Sequence, residues 1–220
     1  MRNHHFIIIL LSLTIGITAG FAQQAQEQKS YYAKMKYELN KLKNASSYDT
    51  YHKAAESLKT LALEEDSKWI PYYHAAYAHI MTAFLSKEKY NKEEMLNQAQ
   101  NLIDKANKLS PNNHEIIALQ GFLYHGRIAV NPQQRMIKYS QMAVKEYDHA
   151  RFMNENNPRP YFLIGQILMS IPKEVGGNKE SACKHFVRAA EKFKTFEPRS
   201  DFSPNWGQKP NQILMKKCQN

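Results

Sequence analysis

The sequence predicts an all-α chain: antiparallel helix pairs stacked as an irregular α-solenoid and closed by a C-terminal capping segment. Three observations predict it. Beyond about Gln28 the residues are almost all helix formers, and no alternating β-branched run bounded by turns supports a strand. Breakers recur between the helical stretches, at 44–47, 65–67, 87–91, 110–113, 131–132, 156–160 and 172–178. A small–large–small triplet then repeats: Ala99, Ile103, Ala106; Ala143, Tyr147, Ala150; and Ala182, Phe186, Ala189. Each triplet is followed by a proline (Pro111, Pro158, Pro198), and Ala54, Leu58 and Leu61 form a weaker first copy.

Taken in order, the chain opens with MRNHHFIIILLSLTIGITAGFA, a basic start, an apolar run from Phe6 to about Ile17, and small residues up to Ala22. The run is too short to span a bilayer and has the form of a secretory signal peptide, with cleavage expected after Ala22. No Cys lies near that junction, which disfavours a lipid anchor, and no later stretch is apolar enough for a transmembrane helix. The expected product, residues 23–220, is an exported, soluble, single helical-repeat domain, periplasmic or extracellular. Its approximate repeats are 30–66, 68–111, 113–157 and 158–198, with a cap at 199–220. Capping chemistry marks several helix starts: Ser47 and Asp49 before TYHKAAESLKTLALEE, Asn91 before KEEMLNQA, and Asn178 before KESACKHF. Pro132 occupies a first-turn position that tolerates proline. This punctuation predicts about eight or nine helices.

The first helices of the pairs carry small residues, Ala75-Ala76, Gly121 and Gly165. Small residues on facing helices let the backbones approach, and the large residue between them fills the groove. A helical Gly costs up to about 1 kcal/mol relative to Ala, so two at matching positions argue for close packing. The pattern is that of tetratricopeptide repeats, whose unit is about 34 residues. The intervals Ala76–Ala99, Gly121–Ala143 and Gly165–Ala182 depart from that unit, so an evenly curved superhelix is not expected. The segments KWIPYYHAAYAHI, LSPNNHEIIALQGFLY, NPRPYFLIGQ, GGNKESACKHFVRAAEKF and SPNWGQKPNQILMKKC lie in order from residue 68 to 218. In these the chain resembles a family of exported tetratricopeptide-like proteins from Bacteroidetes-type bacteria. The resemblance implies an exported helical-repeat fold; it implies no activity.

The chemistry-bearing residues point away from catalysis. His52, His74, His79, His114, His125, His149 and His185 show no HExxH spacing and no pair four apart with a third ligand, so no metal site is expected. No GxSxG, SxxK or Cys-His arrangement stands in the sequence context of a nucleophile motif, and Cys183 and His185, two apart on a helix, diverge. Gly176-Gly177-Asn178-Lys179 opens a helix without a preceding strand and reads as an interhelix turn rather than an anion cradle. No cofactor is implied. The formal charge of +10 reads first as a solvated lysine-rich surface, with attraction to anionic surfaces as the alternative, and export removes nucleic acid as a partner.

Two cysteines in an exported chain invite a Cys183–Cys218 disulfide if the last helices are neighbours; the alternative is two buried free thiols. Aligning Ala76, Gly121 and Gly165 turns Tyr73, Tyr77, Phe122, His125, Arg159, Phe162, Gln166 and Met169 toward the concave face, with the core as the alternative home for part of the set. The main functional reading is a non-enzymatic scaffold whose groove binds an unidentified protein or peptide segment. The alternative is a small-molecule carrier with a pocket among the first helices. In FSPNWGQKPN, Trp206 is expected to cap the end of the stack near Phe186 and Phe193, rather than to stack a ligand.

Overall fold

The computed structural model describes residues 4–219, the side chains of residues 4–22 and of Tyr90 excepted; the side chains of the expected signal peptide and the expected cleavage after Ala22 lie outside that description. Nine α-helices run in chain order among the described residues: α1 (His4–Asn44), α2 (Tyr48–Glu64), α3 (Trp69–Leu85), α4 (Lys89–Leu109), α5 (His114–Ile128), α6 (Pro132–Met153), α7 (Pro158–Ser170), α8 (Lys179–Thr195) and α9 (Gln208–Lys216). Among the described residues there is no strand and no helix long and apolar enough to cross a membrane. The helices start where side chains can take up free backbone N–H groups. Ser47 accepts from the Thr50 N–H in a capping box, Asn113 from Glu115, Asn131 from Gln134, Asn157 from Arg159 and Asn178 from Ser181. Asn91 does not cap: α4 begins earlier, at Lys89, because the Ser86 hydroxyl accepts from the Glu88 N–H and turns the chain there.

Consecutive helices pack against one another as a solenoid-like stack, with α3 between α2 and α4, α5 on α6, and α7 on α8. The repeated triplets face the first helices. A Cβ added at Gly121 would stand 2.5 Å from Tyr147 and 3.0 Å from the Ala143 carbonyl; one at Gly165 would stand 2.6 Å from Phe186 and 3.1 Å from the Ala182 carbonyl. Tyr147 and Phe186 are themselves fully buried and have no room to yield. Gly165→Ala is therefore expected to destabilise the protein by about 1–3 kcal/mol through overpacking, more than the helical gain offsets. Urea unfolding checks this, and a raised midpoint would contradict the close-approach reading.

After α8 the chain does not simply cover the end of the stack. Residues 196–207 cross the concave side as far as α1 and α3, where the Phe202 ring meets Tyr31 at 5.8 Å and Tyr32 at 4.9 Å. The Phe202 carbonyl lies 2.8 Å from Nε2 of buried His74. The chain then returns through Gly207, whose φ of 105° suits a residue without a Cβ, and enters α9 on the flank of α8. Fully buried Asn211 donates from Nδ2 to the Phe186 carbonyl at 3.0 Å. The Cys183–Cys218 disulfide joins α8 to the end of α9 with the Cα atoms 5.8 Å apart, which decides between bond and free thiols. With its ends 35 positions apart in sequence, the bond constrains the unfolded chain by about 3–4 kcal/mol in the loop-entropy model.

Candidate functional site

Three first helices and the returning C-terminal segment enclose an apolar groove of about 440 Å³. Helix α3 contributes Tyr77, Met81 and Phe84; α5 contributes Phe122 and His125; α7 contributes Phe162, Gln166, Met169 and Ser170. Apart from adjacent Met169 and Ser170, consecutive residues within each helix recur at three or four, the spacing that places side chains on one face. Trp206, Pro210, Leu214 and Lys217 close the remaining side. Two larger clefts of about 700 Å³ are lined mainly by charged and polar chains, including Asp148, Arg151, Lys184 and Arg188 in one and Lys36, Arg199 and Asp201 in the other. Ligand sites are mostly apolar with few polar groups, which singles out the groove.

Trp206 is its organising side chain. Its ring lies 4.8 Å from Tyr77 and 5.6 Å from Phe122, at interplanar angles of 28° and 29°. Tyr77 and Phe122 are 6.2 Å apart at 24°, so the three rings are nearly parallel. The indole Nε1 donates to the Tyr73 hydroxyl at 3.0 Å. Arg159 donates from Nη1 to the Trp206 carbonyl at 3.4 Å and places its guanidinium 5.7 Å over the indole. Arg159 is itself held by Glu115, from Nε to Oε2 at 2.7 Å and from Nη2 to Oε1. An aromatic floor tied to a buried ion pair is a rigid one, and rigidity reduces the ordering cost of binding.

Of the residues expected on the concave face, Tyr77, Phe122, His125, Phe162, Gln166 and Met169 line the groove. Tyr73 and Arg159 lie beneath it, both with 0% exposure. Tyr73 sits one helical turn before Tyr77, and the crossing C-terminal segment covers that turn. Trp206 also departs from expectation. Its ring lines the groove, whereas the backbone of Gly207 approaches Phe193 and Asn211 approaches Phe186 at the end of the stack. Met81 and Phe84 follow Tyr77 by four and seven, a periodicity that could have found them. Pro210, Leu214 and Lys217 had no comparable signal, because only the docking of α9 brings them to the groove.

Burial governs ionisation here. Burial holds His125 down to about 4, so the imidazole in the groove is neutral at physiological pH. Its Nδ1 and the Gln166 Oε1 are buried without a hydrogen-bond partner among the described residues. Burial also lowers His74 to about 4 and His79 to about 3. The unfolded imidazoles take up protons near pH 6.5, the folded ones only at these lower values. Stability is therefore complete above about pH 6.5 and falls as pH drops toward about 4, where the folded groups begin to protonate. Urea midpoints measured from pH 7.5 to 4 should decline through that window; a flat profile would contradict the buried neutral state. Among the described residues no group of three or more His, Cys, Asp or Glu could hold a metal ion.

No family model matches the chain, the expected tetratricopeptide-like family included, and no curated protein matches it. Among solved structures it is similar to the HusA haemophore from Porphyromonas gingivalis, with a TM-score of 0.77 and 26% identity over 86% of this chain and 92% of that one.

Proposed function

We propose that this protein is an exported carrier, one helical-repeat domain over residues 23–220, that holds a flat, apolar tetrapyrrole such as haem in the aromatic groove. The observation that carries the reading is the set of nearly parallel rings of Trp206, Tyr77 and Phe122 at the wall of an otherwise apolar cavity. Likeness to a haemophore supports it. A planar ligand gains offset stacking on such rings in addition to the burial of its apolar faces. Met81, Met169 and Leu214 supply adaptable apolar walls, and methionine in particular conforms to irregular shapes.

The same geometry weighs against the peptide scaffold expected from sequence. A segment lying along the concave face would have to occupy space that this chain fills itself. Phe202 packs there on Tyr31 and Tyr32, and Trp206 packs on Tyr77 and Phe122.

The test is a haem titration of the mature protein carrying Trp69→Phe, which leaves Trp206 as the reporting fluorophore. Saturable quenching together with a shifted haem absorption band is the expected result. Unchanged signals through excess haem would defeat the carrier reading, and saturable binding of an extended peptide in its place would restore the scaffold.

A further inference from the structure

Among the described residues the groove has one charged lining residue, Lys217, and no acidic one. Lys217 is the residue that follows α9, and its backbone N–H donates to the Leu214 carbonyl at 3.0 Å. It also precedes Cys218, whose bond to Cys183 anchors that turn to α8. A lysine at a chain end would ordinarily sweep a wide volume; here the backbone that carries it is held on both sides. Asn211 ties the start of α9 to the Phe186 carbonyl, and the disulfide ties its end. Lys209 and Lys216 lie on the same helix but do not line the groove. A preference for basic residues near a helix C-terminus accounts for Lys216 and Lys217 alike; it does not account for the position of Lys217 alone beside an apolar cavity.

Resting on the carrier reading above, we infer that the groove selects amphiphilic planar ligands bearing a carboxylate, that Lys217 pairs with this acidic edge, and that the Cys183–Cys218 bond positions Lys217 to do so. The chemistry is a division of labour. The aromatic floor accepts any flat apolar body, and so does little to discriminate. A carboxylate left facing apolar walls is penalised, whereas one set against an ammonium at the rim is satisfied by a charge-assisted hydrogen bond. The methylene stem of Lys217 can lie along the apolar wall while its ammonium stays at the solvent edge. A neutral ligand of the same shape forgoes that bond and keeps only stacking and burial. His125 adds no competing charge, since it is neutral, and among the described residues no carboxylate lines the groove to neutralise Lys217 first.

The experiment compares haem with its dimethyl ester by fluorescence quenching at low and high salt. The native protein should bind the free acid about tenfold more tightly than the ester, the scale of one hydrogen bond to a charged group, and salt should narrow the gap. Lys217→Ala should abolish the preference by weakening the acid alone, while Lys216→Ala keeps it. The double variant Cys183→Ala/Cys218→Ala, shown by circular dichroism to remain helical, should lose most of the acid preference and still bind the ester. Equal affinity for acid and ester in the native protein would overturn the inference and leave the carrier reading intact. An undiminished preference in Lys217→Ala would overturn the role of Lys217, and one in the folded disulfide-free variant would overturn the positioning role of the bond. Binding of neither ligand would defeat the carrier reading and this inference with it.

Discussion

Replacing Glu115 with alanine is expected to destabilise the protein by about 3–5 kcal/mol, among the largest losses available to a single substitution here. Arg159 has 0% exposure, and Glu115 is its carboxylate partner through two hydrogen bonds. Burial works against the charged guanidinium, and the field of Glu115 more than offsets that, leaving Arg159 raised above its ordinary value. Without Glu115 the guanidinium stays charged and loses its counter-ion in a place water does not reach. The pair is not thereby proved stabilising against an apolar substitute; what the substitution measures is the cost of stranding one partner. Glu115→Gln should cost less, because an amide oxygen can still accept one of the two bonds. Denaturant unfolding of the three proteins checks the order, and an alanine variant with a native midpoint would show that the buried pair does not hold the fold. Because Arg159 also donates to the Trp206 carbonyl, Glu115→Ala should shift the emission of Trp206 in the folded state as well.

Trp206→Ala is expected to carry the largest functional effect, lowering haem affinity by about a hundredfold, near 3 kcal/mol, as for an aromatic anchor at the centre of a binding surface. The loss removes the ring that bridges Tyr77 and Phe122 and opens the side of the groove next to α9. The same substitution leaves the Tyr73 hydroxyl, buried at the foot of the groove, without its donor. The indole is only half-buried, so the accompanying loss of stability should fall below the roughly 3–5 kcal/mol of a fully buried tryptophan. Trp206→Phe separates the two roles: it keeps a ring for stacking and removes the N–H, so affinity should recover in large part while Tyr73 remains unpaired. Calorimetric titration of both variants with haem checks this. Native affinity in Trp206→Ala would mean that the ring serves the fold alone.

What could be read from the chain in advance follows a physical division. The small–large–small triplets and the helical glycines of α5 and α7 record contacts between neighbouring helices, and those contacts leave a periodic trace. The caps at Ser47 and Asn178 are interactions over three residues and are legible from residue type, whereas Asn91 reads as a cap and is not one, and those at Asn113, Asn131 and Asn157 read only as breakers. The groove residues of α3, α5 and α7 were legible in direction for the same reason: once one position on a helix faces inward, those three and four away face inward too. Tyr73 and Arg159 broke that reasoning, because a helix face shows which way a residue points and not what later covers it.

The all-helical class, the solenoid-like stacking and the pairing available to the two cysteines therefore follow from composition and short-range order in the chain. The site follows from something longer in range. A segment beginning after α8 crosses the concave side, touches α1 and α3, turns at Gly207 and is bound to α8 by Asn211 and Cys218. Trp206 lies more than a hundred residues from Tyr73, and no periodicity connects them. Its ring lines the groove on Tyr77 and Phe122, while Asn211 bonds the Phe186 carbonyl at the end of the stack. Such contacts depend on the fit of surfaces far apart in the chain, and no local pattern in the sequence records that fit.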